Sequence, residues 1–199
     1  VALPDGAFLV VSDIEARAAI VGPRGTAFLE LPGLRPGASA LEAVTFDPSQ
    51  GRLYCCAEDH GRLLIHAWDG RASSQATLVA RRKLRFGKKA NKGVEGIALV
   101  GDRLLCANED KPRGLFVVGD DGEGLVEVEV DPAITAACAD FSGLAHDPHA
   151  GTFLLVSDES ATLVEMAIDD GPAPVARMLG AYDLTDERGK RLKRVEGVA

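Results

Sequence analysis

Several features are missing from this chain, and each absence removes a class of function. No stretch approaches the roughly 18 consecutive apolar residues of a membrane-crossing helix, so a folded body without a helical span is expected. Basic residues are outnumbered: 22 Lys and Arg face 30 Asp and Glu, a net charge of −8. Phosphate binding calls for a basic excess, so nucleic acid is not expected as the main partner, whereas acidity fits solubility or cation binding. The four cysteines, Cys55, Cys56, Cys106 and Cys138, show no C-x-x-C spacing and are too sparse for a disulfide-stapled domain. They read as free, buried thiols. Neighbouring residues of a strand point to opposite faces, so at most one of Cys55 and Cys56 is expected to face the core. No G-x-S-x-G, zinc-site motif or phosphate-cradling glycine loop is present, which leaves nucleophilic and nucleotide-dependent mechanisms without support. No charged and apolar leader opens the chain. The start, "VALPDGAFLVVSD", reads as the middle of a structural unit, so that absence fixes no compartment.

What the chain does have is a repeat. Its 199 residues are enough for one well-buried domain or a large part of one. Four stretches align: "VALPDGAFLVVSD" from Val1, "LEAVTFDPSQGRLYCCAED" from Leu41, "VEGIALVGDRLLCANED" from Val94 and "FSGLAHDPHAGTFLLVSDE" from Phe141. A fifth beginning, "VEGVA", closes the sequence. Glu42, Glu95, Ser142 and Glu196 share one phase, with a period of roughly 50 residues, which fits either a propeller blade or a helical-pair repeat.

The local pattern chooses strands. Each unit has a short apolar run, a turn such as "DPSQG", "VGD" or "DPHAG", a second apolar run, then a third and a fourth, all separated by Gly- or Pro-containing turns. Pro presets φ and Gly supplies positive φ, as hairpins need. Helical spacing over ten or more positions is interrupted almost everywhere, except that "DPAITAACADF" can hold a helical turn with Asp131 as cap and Pro132 at its first position. The expected fold is all-β: a propeller of four-stranded antiparallel blades over 1–39, 40–91, 92–139 and 140–193, with 194–199 starting the next or closing strand. The four repeats form either a closed four-bladed ring or part of a larger ring of five or six blades.

In such a ring the first strand of each blade lines the central channel. Glu42, Glu95 and Glu196 head that strand in three units, which directs three carboxylates toward one axis. Converging carboxylates repel unless a cation or basic partner neutralises them, and hard oxygen donors favour Ca²⁺ or Mg²⁺ over zinc. The competing reading is structural: each Glu accepts backbone N–H bonds from a neighbouring blade and locks the two together. A second set, Ser12-Asp13, Glu58-Asp59, Asn108-Glu109-Asp110 and Ser157-Asp158-Glu159, ends the second strands, where such residues commonly cap turns. Because first and second strands are antiparallel, both sets crown the same face. Two basic stretches, 81–93 and 188–194, run into inner-strand acids and place Lys92 and Lys193 three residues before Glu95 and Glu196. They either pair with the acids or, with Asn108, help bind an anionic ligand. His60 is placed at this mouth as a candidate base or ligand, and Asp158 is a second candidate base.

Residues 91–199 resemble the SdiA-regulated, YjiK-like family of bacterial propellers, most of all through "DFSGLAHDPHAGTFLLVSDES" at 140–160. The resemblance implies a bacterial propeller, often extracytoplasmic, and no catalytic triad. The "EG-[IL]-A" starts are also similar to those of esterase-like phytase propellers. Gluconolactonase-type propellers carry a metal-binding Glu in an "EGP" strand; here Gly-Val, Gly-Ile and Ala-Val follow the Glu instead. The expected function is a non-catalytic scaffold binding a small ligand, cation or protein partner at an acidic mouth. The alternative is a metal-dependent hydrolase of phosphoesters or lactones with Glu42, Glu95 and Glu196 as metal ligands.

Overall fold

The computed structural model describes residues 1–199 apart from 4, 13–16, 35–39, 58–61, 71–74, 85–92, 110–111, 120–123, 170, 196 and 199. The chain is all-β, as the turn spacing predicts. The first blade comprises β1 (Phe8–Val11), β2 (Ala18–Gly22) and β3 (Gly25–Leu29); the second, β4 (Leu41–Asp47), β5 (Arg52–Ala57), β6 (Arg62–Ala67) and β7 (Thr77–Lys83). The third holds β8 (Val94–Val100), β9 (Arg103–Asn108), β10 (Gly114–Val118) and β11 (Leu125–Val130), and the fourth β12 (Gly143–Asp147), β13 (Thr152–Ser157), β14 (Thr162–Ile168) and β15 (Val175–Asp183). Within each blade the strands pair antiparallel in chain order. The helical turn expected after Asp131 is α1 (Pro132–Ala137), with the Asp131 carboxylate accepting from the Ala133 N–H at 2.9 Å.

The hairpins form where the turn residues place them. In "DPSQG" the Asp47 carboxylate accepts from the backbone of Ser49 at 2.8 Å, and in "DPHAG" Asp147 does the same for His149 at 2.8 Å. Gly51 and Gly151 then take φ of +59° and +68°, a region costly for residues with a Cβ. In the first blade, residues 1–3 run antiparallel to the chain entering β1: Val1 and Leu9 exchange backbone bonds at 2.7 and 2.8 Å, Ala2 bridges Phe8, and the Leu3 N–H donates to the Ala7 carbonyl at 2.8 Å, so a short segment stands where the repeat predicts the first strand.

Both faces of the second and third blades are apolar because each packs against a neighbour. Leu9, Ala18 and Leu29 meet Leu53, Cys55 and Leu64 between the first two blades. Cys56 and Leu63 meet Leu104, Cys106 and Phe116 between the second and third. Leu105, Ala107 and Leu115 meet Phe153, Leu155 and Val164 between the third and fourth, with Ile134 of α1 closing that core. This corrects the expectation for the adjacent cysteines: Cys55 and Cys56 do point to opposite faces, but both are buried because both faces are covered.

Adjacent blades are also latched at their outer strands. Glu129 and Val130 of β11 pair in parallel with Val175 and Ala176 of β15, joining the third and fourth blades into an eight-stranded sheet. Glu30, just past β3, forms the corresponding parallel bridge with Gln75, just before β7. The inner strands lie side by side, β4 by β8 and β8 by β12, and β1, the second strand of its unit, also comes beside β4.

Candidate functional site

A cavity of ≈ 370 Å³ opens where these inner strands converge. Glu42 from β4 and Glu95 from β8 both line it, among Val10, Ile97 and Leu144. Both acids are half-buried. The shared repeat phase therefore brings two of the three predicted carboxylates to one place. Glu196 lies outside the described residues, but Gly197 and Val198, which follow it, line the same cavity. His60 and Lys92 also lie outside the described residues. Among the described residues, no three His, Cys, Asp or Glu side chains gather closely enough to hold a metal. Glu42 and Glu95 offer the hard oxygen donors that suit Ca²⁺ or Mg²⁺; two carboxylates are fewer than the six to eight oxygens Ca²⁺ takes, so backbone carbonyls and water would have to complete its shell.

The glycine after Glu95 has a packing reason. A Cβ at Gly96 would stand 2.5 Å from the Leu144 backbone nitrogen and 2.9 Å from the Gly143 carbonyl carbon, so β8 and β12 approach too closely for any side chain. The "EG" pair thus combines a cavity-facing carboxylate with a close contact between inner strands.

In the fourth blade the phase-equivalent residue is Ser142, and its surroundings explain the "DFSGL…SDES" signature. Asp140, almost fully buried, accepts from the Ser142 hydroxyl at 2.5 Å, from the Ser157 hydroxyl, and from the Glu159 N–H at 3.1 Å. Ser142 Oγ in turn accepts from the Asp158 N–H at 2.9 Å. A buried carboxylate is tolerable only when its lone pairs are met in this way. Arg113 completes the corner, donating to the carbonyls of Cys138 and Ala139 and stacking 5.7 Å from the centre of the Phe141 ring. Sequence reasoning did not single out Asp140; its place at the head of the quoted motif, two residues before Ser142, was the available signal.

The other predicted residues occupy separate places. Asp158 accepts from the Val195 N–H at 2.8 Å, holding the start of the closing segment beside the fourth blade. Asn108 is fully buried and donates to the Pro112 carbonyl at 2.7 Å. Lys193 is exposed on the segment following β15. Elsewhere, His66 is buried with Nε2 2.9 Å from the Pro32 carbonyl, and His146 packs on Phe153.

The thiols are poor nucleophiles. Burial pushes Cys55 up to about 12 and Cys138 up to about 11, and drives Cys106 higher still. Cys56 is raised first by burial and then by Cys106, Cys55 and the Glu95 carboxylate, so it remains protonated.

Comparison with solved structures shows the fold again. The chain is similar to the allergen Mala s 1 of Malassezia sympodialis (TM-score 0.58, 12% identity, 88% of this chain and 60% of that one). It is also similar to the periplasmic gluconolactonase PpgL of Pseudomonas aeruginosa (TM-score 0.53, 17% identity, 92% and 53%) and to a chain of a nidogen/laminin complex (TM-score 0.56, 15% identity, 89% and 62%). At such identities the likeness is one of fold alone, and in each case this chain spans less than two thirds of the other's length. No curated protein matches by sequence. The profile of the SdiA-regulated family matches residues 35–199, and the chain belongs to that family.

Proposed function

We propose that this protein is a non-catalytic β-propeller scaffold that binds a cation, Ca²⁺ or Mg²⁺ first, or a positively charged ligand or partner, at an acidic channel mouth. The observation that carries the reading is the convergence of Glu42 and Glu95, from successive inner strands, on one cavity. Half-buried carboxylates sharing a small space repel, and a cation between them relieves that cost. Glu196 is the proposed third ligand. The same reading takes the four blades as part of a larger ring of five or six, working outside the cytoplasm.

The test is metal analysis of the purified protein and a calcium titration of its melting temperature, with Glu95→Gln as control. A bound ion at tenfold excess over its Kd adds about 1.4 kcal/mol of stability, a rise on the order of 3–6 °C for a domain this size. That rise is expected in the parent and lost in Glu95→Gln. No ion and no calcium-dependent shift in the parent overturn the reading and leave the acids as locks between blades.

The hydrolase alternative has one point in its favour, that a protein of like fold is named a gluconolactonase. It asks for a base, and of its two candidates Asp158 is engaged by the Val195 backbone. A phosphoesterase and lactonase screen is worthwhile only once a metal is found.

A further inference from the structure

The repeat makes it possible to ask which blade faces are covered. On the second strand of each blade, two alternate positions face the preceding blade. In the second, third and fourth blades these are Leu53 and Cys55, Leu104 and Cys106, and Phe153 and Leu155, all between 0% and 6% exposed. In the first blade they are Phe8 and Val10, which are 46% and 43% exposed. Strand register puts Phe8 opposite Val21, and Val10 opposite Ala19, which in turn pairs with Phe28. Val21 and Phe28 are 38% and 63% exposed, so one face of this sheet presents four large apolar side chains. Its other face, with Leu9 and Ala18, is buried against the second blade.

Among the described residues, three apolar cores join the four blades in sequence, and none joins the fourth back to the first. At the other end, a Cβ on Gly197, the repeat equivalent of Gly96, would meet nothing within 4 Å. The similar solved chains are longer, this chain spanning 53–62% of their length.

We propose that the outer face of the first blade, formed by Phe8, Val10, Val21 and Phe28, is a docking surface for the forward face of a further four-stranded blade. The occupant's chemistry follows from the three interfaces already formed: a sheet presenting small and branched aliphatic side chains at alternate positions of its second strand, as Leu105 and Ala107 do toward the fourth blade. The inference rests on the larger-ring reading; Phe8 and Val10 also line the cavity that holds Glu42 and Glu95, so the substitution that tests it is made at Val21, which does not, and its readout differs from that of the cation test.

The chain supplies its own probe. Placing a copy of residues 140–197 ahead of Val1 gives the seam "VEGVALPDG", which matches "VEGIALVGD" at 94–102. Against the 199-residue chain, the extended chain is expected to melt on the order of 5 °C higher and to bind less of the dye ANS per molecule. Val21→Lys, on the same face but away from the acidic cavity, is expected to remove that gain in the extended chain while leaving the melting temperature of the 199-residue chain unchanged. Should the extended chain fail to fold, the 199-residue chain still decides the exposure. There Val21→Lys lowers ANS binding without lowering the melting temperature, whereas Leu104→Ala, at a covered equivalent of Phe8, lowers the melting temperature. Equal destabilisation by both substitutions overturns the proposal, as does an extended chain that folds with no gain. So does a stable dimer of the 199-residue chain that Val21→Lys makes monomeric, since the occupant is then a second copy.

Discussion

At the scale of single residues the sequence is a better guide to who is buried than to why. The neighbouring Cys55 and Cys56 were expected to share one buried place between them, and the error lay in treating a strand as one-sided. His66 shows the same limit: as one histidine in a third strand it announced nothing, because the partner that defines it, the Pro32 carbonyl, lies on the link between blades. With Nε2 donating to that carbonyl, Nδ1 is left as a bare acceptor with no partner among the described residues. Burial, aided by Arg81, pulls His66 below its ordinary value of 6.5 despite the opposing pull of the Pro32 bond. The unfolded chain therefore takes up the proton more readily than the folded one. The associated stability is fully present above pH 6.5 and is lost as pH falls through the folded value. The melting temperature is expected to drop between pH 7 and 5, and His66→Gln is expected to flatten that slope. Parallel profiles for the two proteins would remove His66 as the cause.

At the scale of elements, strands and turns were almost entirely legible, since Asp, Pro and Gly at hairpin positions are local chemistry and act before any tertiary contact forms. The latch between β11 and β15 was not, because it rests on two residue pairs between strands from different repeats. The acidic mouth lay between these cases: repeat phase put Glu42 and Glu95 together, but the reading gave the weight of "VEG" to its acid and passed over its glycine. Packing reverses that order for stability. At Gly96 the atoms in the way of a Cβ belong to the backbone of β12, which cannot rotate aside. Gly96→Ala is expected to cost about 1–3 kcal/mol, as overpacking of a filled core does. Gly197→Ala, in the same motif but facing open space, is expected to change stability by less than about 0.5 kcal/mol. Urea denaturation of the two variants measures the difference directly, and equal costs would show that β8 and β12 are not in this close contact.

At the scale of the whole molecule, a chain of blades is a nearly one-dimensional object, in which each unit is held by its own strands and by its neighbours. The third blade is covered on both faces, by the second through Cys106 and Phe116 and by the fourth through Leu105 and Ala107. The first has one covered face and one apolar face in contact with solvent. Opening the first blade breaks one interface and the single bridge from Glu30 to Gln75; opening the third breaks two interfaces and the two-pair latch to β15. Local opening free energies follow the interactions lost, so stability should be graded along the chain. Native-state hydrogen exchange is expected to find the amides of β9 and β10 protected close to the global limit and those of β1 and β2 exchanging through an opening at least about 1–2 kcal/mol cheaper. The extension ahead of Val1 that covers Phe8 and Val10 should slow exchange in β1 and β2 first, before any change in β9, because only the nearest neighbour gains an interface. Uniform protection across all four blades would mean that the molecule opens as a single cooperative unit, and the uncovered face would then carry no separate energetic weight.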